Sequence, residues 1–294
     1  MLASEPTELP GPLAVVCHDA GSANLIIHWI ARDILVPVRA FMAGPAEKLW
    51  QQALPDLALL GSIEEVLDGA GCLLSGTGWA TDIEHNARVM ADTAGMPSIA
   101  TLDHWVNYSS RFFRNGSTQW PDALVVADGW AKRLAGEQFP KMPIWQWPNR
   151  YLEHQLVNIG PPSSDGDILY IGEPARDDWG RGRPGEFQAI EYFVEKIRSM
   201  ENYASKRIRF RPHPSENAEK YDAIIKSVDY AALDESVSLS ESINRAIMVG
   251  GMGSAAMVVA LAAGRVVYSS MPPWAPPCHL PHDGIIHLRE MDRP

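Results

Sequence analysis

Short apolar runs recur along this chain, each ending in small or polar residues and each followed by a stretch with helical spacing. That rhythm leaves few folds open. LAVVCHDAG followed by SANLIIHWIARDIL reads as strand, tight turn and helix, the opening of a parallel α/β unit. PVRAFMAG with AEKLWQQALP, GCLLSGTG with DIEHNARVMADTAG, the strand MPSIATLDHW, and ALVVADGWAKRLAGEQF continue the series. Runs of about five apolar residues alternating with helices predict a buried parallel sheet with helices on both faces.

From about residue 140 to 168 the rhythm breaks in a proline-containing, polar stretch of linker composition, which ends in PPSSDGD. A second series then begins. DILYIGEP is a strand and turn, GEFQAIEYFVEKIRSM an amphipathic helix and RIRFRPHP a strand. NAEKYDAIIKSV is a helix, RAIMVGG a strand, GSAAMVVALAAG a helix and RVVYSS a strand. The expected class is α/β with two Rossmann-like domains, residues 1–150 and 167–294, joined by a linker over 151–166. A chain of 294 residues is long enough for two such cores.

Composition narrows the partners. Hydrophobic residues make up 46% and charged residues 21%, as in a globular protein. The net charge of −11 argues against broad nucleic-acid binding, which needs a basic surface, while leaving room for a local basic pocket. No apolar run approaches the roughly 18 residues of a membrane span, and the first residues have no basic or apolar signal region, so a cytoplasmic location is expected. Cys17, Cys72 and Cys278 stand far apart, which predicts buried, unpaired thiols rather than a disulfide framework or zinc site. No cofactor and no metal site is read from the sequence. Ten tryptophans could line a sugar site, although most read as core or interface residues.

In an open parallel sheet, ligands sit beyond the carboxyl ends of the strands, and the chemistry-bearing residues cluster at those turns. In RFRPHPSE, Arg209, Arg211 and His213 alternate with Phe210 and Pro212 and would share one strand face, a donor row suited to a diphosphate or nucleotide or else a solvated edge. Gly250, Gly251 and Gly253 form a turn ahead of Ser254, which sits where a helix N-cap belongs. Backbone N–H groups and the helix dipole make such a point a phosphate site, or else the glycines serve close packing. In the first half, His18 and Asp19 end the first strand ahead of Gly21. A histidine or a carboxylate there could accept a proton from an attacking hydroxyl, and Asp19 could alternatively cap the helix that follows. SGTGW brings Gly76, Thr77 and Gly78, with Glu84 and His85 in the next helix. TLDHWVNYSSRF crowds Asp103, His104, Trp105, Asn107, Tyr108 and Arg111 into one strand end. Asp103 and His104 read as acceptor recognition, as a second acid/base pair, or as a buried pair bracing the loop. His279 and His282 read as members of a proline-rich loop.

The Arg-x-His-Pro strand, followed by a Gly/Ser-rich turn and a small-residue helix, resembles the C-terminal domain of GT-B glycosyltransferases. It is most similar to bacterial CMP-sugar-using sialyl- and Kdo-type transferases and to polymer glycerophosphotransferases. The resemblance implies two Rossmann-like domains facing each other across a cleft, the first for the acceptor and the second for a nucleotide sugar. It implies that His213 and Pro214 meet the nucleotide, that Ser254 holds its phosphate and that the Gly172–Glu173–Pro174 turn faces the donor. It also implies a base, His18 or Asp19, in the first domain. The expected activity is metal-independent transfer of a sugar from a CMP- or UDP-linked donor to a cell-surface glycan or glycoconjugate, with peripheral placement at the inner membrane. The alternatives are a sugar-nucleotide epimerase or hydrolase of the same fold, and a non-catalytic nucleotide-sugar- or glycan-binding protein.

Overall fold

The computed structural model describes residues 5–175, 177–214 and 216–291. The chain divides between Tyr151 and Leu152 into two compact units, and each has its own sheet.

In the first unit the strands are β1 (Leu13–Cys17), β2 (Val38–Met42), β3 (Cys72–Ser75), β4 (Ser98–Leu102), a small antiparallel hairpin of β5 (Phe113–Arg114) and β6 (Ser117–Thr118), β7 (Ala123–Val126) and β8 (Ile144–Gln146). Six of them form a parallel sheet in the order β2-β1-β3-β4-β7-β8. Every residue of β1 is buried, because the sheet is covered on both faces and side chains alternate between them. Leu13, Val15 and Cys17 face one way, onto Ile26 and Trp29 of the helix Ala20–Arg32. Ala14 and Val16 face the other, onto Val66 and onto Ala87 and Ala91 of the helix Ile83–Thr93.

The second unit holds β9 (Asp167–Ile171), β10 (Ile208–Arg211), β11 (Ala231–Leu233), β12 (Ala246–Gly251), β13 (Val266–Ser269) and β14 (Ile285–His287). They form a parallel sheet in the order β11-β10-β9-β12-β13-β14. Ile190, Phe193 and Ile197 of the amphipathic helix Gly185–Arg198 pack with Tyr170, Phe210 and Met248.

Besides the β5–β6 hairpin, three short strands, β8, β11 and β14, are absent from the sequence reading. β8 and the helix Arg150–Leu156 lie in the stretch read as broken pattern and linker. Each of the three strands is only three residues long and stands at a sheet edge, too short for a periodic signal.

In both sheets the first strand has neighbours on either side that are reached by crossovers in opposite directions. The gap between β1 and β3 in the first sheet, and between β9 and β12 in the second, is therefore a topological switch point, where the following loops part and leave a crevice. The two groups of residues described next sit at those points.

Candidate functional site

At the carboxyl end of β1, Asp19 is the N-cap residue of the helix Ala20–Arg32, yet its side chain makes no capping hydrogen bond. Its Oδ1 instead lies 2.8 Å from Nδ1 of His18. The capping alternative for Asp19 is thereby overturned. The His18 backbone N–H donates to Oε1 of Glu84 at 2.9 Å, and a Cβ on Gly44 would lie 2.5 Å from His18 Nε2. Gly44 has a φ of +56°, a conformation that glycine adopts without penalty, and this lets the chain come up against the ring. The Asp19 carboxylate packs against Gly78, where a Cβ would collide with it. Asp19 is the more open of the pair, with 27% of its side chain exposed against 15% for His18.

Gly76 and Thr77 lie inside rather than facing a ligand. Thr77 is fully buried, its hydroxyl donates to the Thr101 carbonyl at 2.7 Å, and it accepts from Arg111 Nη1. Thr77, read from sequence as a substrate contact, thus braces the turn from inside. Gly76 stands beside Glu84 and Cys17. Glu84 is fully buried, its Oε2 has no hydrogen-bond partner, and burial pushes its carboxyl above the usual range despite the His18 N–H.

Asp103 does not pair with His104. Its Oδ1 meets Arg111 Nη1 at 2.6 Å, and its other oxygen abuts Gly21 at the start of the helix. His104 Nδ1 accepts from the Trp105 N–H, and its ring meets the indole edge-on. The expected Asp103–His104 acid/base pair is therefore not formed, because adjacent residues leave the strand in different directions while Arg111, one short loop later, returns to the carboxylate. His18, Asp19, Gly21, Gly76, Thr77, Gly78 and Asp103 do come together, with Glu84 and Arg111 completing the group. Gly44 was not foreseen, although a Gly-Pro step after a strand was the available signal.

In the second unit, Gly172 at the end of β9 lies against the Arg211 carbonyl and the Pro212 Cα. Glu173 accepts from the Gly253 N–H at 3.1 Å, so a carboxylate occupies one donor of the glycine turn, and burial raises its pKa. Ser254 caps the helix Ala255–Ala262, its hydroxyl accepting from the Ala256 N–H at 3.3 Å. The His279 ring packs on Gly253, and Gly251 lies on Met257. His213 is half-buried, and desolvation lowers its pKa; exposed Pro214 follows it.

Arg209 and Arg211 do share a face, but it faces an acid. Asp234, with no exposed side-chain surface, takes Arg209 Nη1 at 2.5 Å and Arg211 Nη1 at 3.0 Å. Arg211 Nη1 also donates to the Ser236 carbonyl and to Ser242 Oγ, while Arg209 reaches Asp167 and the Ser242 carbonyl. The donor row read as a diphosphate grip is an internal ion network. In Arg211, read from sequence as a nucleotide contact, Nη1 is engaged in this network while 23% of the side chain stays exposed.

No protein-family model matches the chain, and no curated protein matches it by sequence. Solved structures do. The chain is similar to S. aureus MnaA solved with UDP, with a TM-score of 0.59 at 11% identity over 87% of this chain and 78% of that one. It is similar to Methanocaldococcus jannaschii UDP-GlcNAc 2-epimerase in complex with UDP-GlcNAc and UDP, with a TM-score of 0.59 at 11% identity over 94% and 88%. It is also similar to the glycotransferase of kitacinnamycin, with a TM-score of 0.54 at 13% identity over 98% and 88%. The likeness establishes the fold. It is GT-B-like, and its structural neighbours are enzymes that include epimerases and glycosyltransferases. Among the described residues, no helix is long and apolar enough to cross a membrane, and no group of three or more His, Cys, Asp or Glu side chains could hold a metal ion.

Proposed function

We propose that the protein transfers a sugar from a nucleotide-activated donor to a hydroxyl of a glycan or glycoconjugate acceptor, with Asp19 as the base. The observation that carries this reading is the state of Asp19. It is a partly exposed carboxylate at the β1 switch point, relieved of capping and held by His18 Nδ1. His18 is assigned a positioning role, because its Nε2 is turned into Gly44. In the reaction the acceptor O–H gives its proton to Asp19 as the oxygen attacks the anomeric carbon. The bond from that carbon to the phosphate oxygen breaks, and the nucleotide leaves as an anion.

His213, Pro214 and the Ser254 turn are assigned to the nucleotide. The N–H groups that open the helix Ala255–Ala262 supply positive potential for the leaving phosphate, so the reading needs no metal. Gly172, Glu173, Gly251 and Gly253 form the walls of that turn. The enzymes among the structural neighbours include ones solved with UDP or UDP-GlcNAc, which supports a pyrimidine nucleotide; the His-Pro resemblance favours CMP.

The test is release of nucleotide from CMP- and UDP-sugars with and without added glycan. Acceptor-dependent release, reduced roughly 10²- to 10⁴-fold in Asp19→Asn, is the expected result. Equal rates in Asp19→Asn and wild type would remove the proposed base.

A second reading draws on the carboxyl groups of Glu84, Asp103 and Asp19, which gather at the start of the helix Ala20–Arg32: Glu84 accepts from the His18 N–H, Asp103 abuts Gly21 and Asp19 abuts Gly78. Several carboxylates in one place suit proton removal and return on the donor itself, as in an epimerase. Conversion of UDP-GlcNAc at C2, or free UDP formed without any acceptor, would favour it.

A further inference from the structure

Trp79 differs from the other tryptophans of the first unit. Trp29 and Trp50 are core residues, 1% exposed. Trp120 is partly open but packs on Phe112 and Phe139. Trp79 is 55% exposed, and its ring lies against Arg111, whose guanidinium carbon is 5.9 Å from the ring centre.

The backbone that carries it is nevertheless held on several sides. Thr77 is bonded to Thr101 and Arg111. The Gly78 carbonyl accepts from Arg114 Nη2 at 2.9 Å. Asp82 meets Arg114 at 3.7 Å and accepts from Asn115 at 2.9 Å. The hairpin β5–β6 thus clamps the loop whose tip bears an open indole. Its surroundings are polar: Arg111 is bound to Asp103 at 2.6 Å, and the Asp19 carboxylate rests on Gly78, the preceding residue.

We infer that Trp79 is the stacking platform for a pyranose ring of the acceptor, with the partly exposed Asp19 carboxylate, which rests on Gly78, beside that ring's hydroxyls. The inference rests on the transferase reading and adds the residue that binds its carbohydrate acceptor. A pyranose has a flat face of C–H groups and a rim of hydroxyls. It is matched by an aromatic face on a fixed backbone beside a partly open carboxylate, Asp19, that can hydrogen-bond the rim. A purely apolar partner would take the open part of the Asp19 carboxylate out of water without compensation.

Saturation-transfer NMR with the methyl glycosides of glucose, galactose and N-acetylglucosamine tests this on the full chain. Wild-type protein is expected to transfer saturation to the ring C–H protons of at least one glycoside. Trp79→Ala should weaken that binding about 2- to 10-fold, and Trp79→Phe should retain part of it. Trp274→Ala, which removes an exposed indole of the second unit, should bind as wild type does. Trp79→Phe keeps the test decisive if the alanine variant does not fold. Undiminished transfer in Trp79→Ala, or none from the wild type to any of the three, overturns the platform.

Calorimetry of wild type with UDP and CMP separates this from the transferase reading. Trp79-dependent glycoside binding without any nucleotide binding keeps the platform and removes the transferase. Acceptor-dependent turnover with Trp79-independent glycoside binding does the reverse.

Discussion

At Glu84 the energetics of one buried group can be read directly. Its Oε1 takes the His18 N–H and its Oε2 takes nothing, so ionisation inside the first unit is poorly compensated. Burial raises its pKa. The folded protein therefore holds this proton above about pH 4.3, where the unfolded chain gives it up. The stabilisation is complete below that pH and is lost as pH rises through the folded value. Glu84→Gln keeps an oxygen for His18 and removes the charge. Its melting temperature is expected to exceed that of wild type at pH 8 and to match it at pH 4; a variant less stable at both would refute the uncompensated charge. The pairings of single residues were the least legible part of the sequence. Asp103 and His104 are neighbours in sequence, but the partner of Asp103 is Arg111, brought back by a short 3₁₀ turn over Ser109–Phe112. Asp19 reads from sequence as base or cap, and its bond to His18, with no capping hydrogen bond, is a feature of the fold that the sequence does not carry.

The element that departs most from its sequence reading is β10. Alternation along the strand correctly puts Arg209 and Arg211 on one face, but periodicity says nothing about what that face meets. The answer lies in Asp234, just beyond the three-residue strand β11, which has too short a signal to be found. Desolvation would raise the Asp234 pKa, but hydrogen bonds from Ser242, Ser236, Arg211 and Arg209 outweigh it and hold the carboxyl below its usual value. Its contribution is therefore present above the unfolded carboxylate value, near pH 3.9, and is lost as pH falls through the lower folded value. Asp234→Asn takes from buried Arg209 its fully buried counter-charge and leaves it only the partly exposed Asp167, a loss of up to about 3–5 kcal/mol, the range for removing one partner of a buried pair. Urea unfolding followed by far-UV circular dichroism at pH 7 should show it, and the gap from wild type should narrow below pH 4. An unchanged midpoint at pH 7 would mean that the network carries no net stability. By contrast, the central strands β1, β3, β9 and β12 were plain in the sequence, since strands buried on both faces read as continuous apolar runs.

For the whole molecule, two parallel sheets of six strands each account for the alternating apolar rhythm, and the turns at their switch points collect most of the residues singled out from sequence. The first unit holds a partly exposed carboxylate bonded to a histidine, and the second holds a glycine turn, a helix start and His213. The nucleotide assignment rests on that second group, so binding tests it before any turnover is sought. Isothermal titration with CMP and UDP should give saturable binding to wild type. In His213→Ala, affinity should fall by about tenfold or more, as expected when a ligand hydrogen bond of roughly 1.5 kcal/mol is removed. Full affinity in His213→Ala, or no binding of either nucleotide to wild type, would contradict the account.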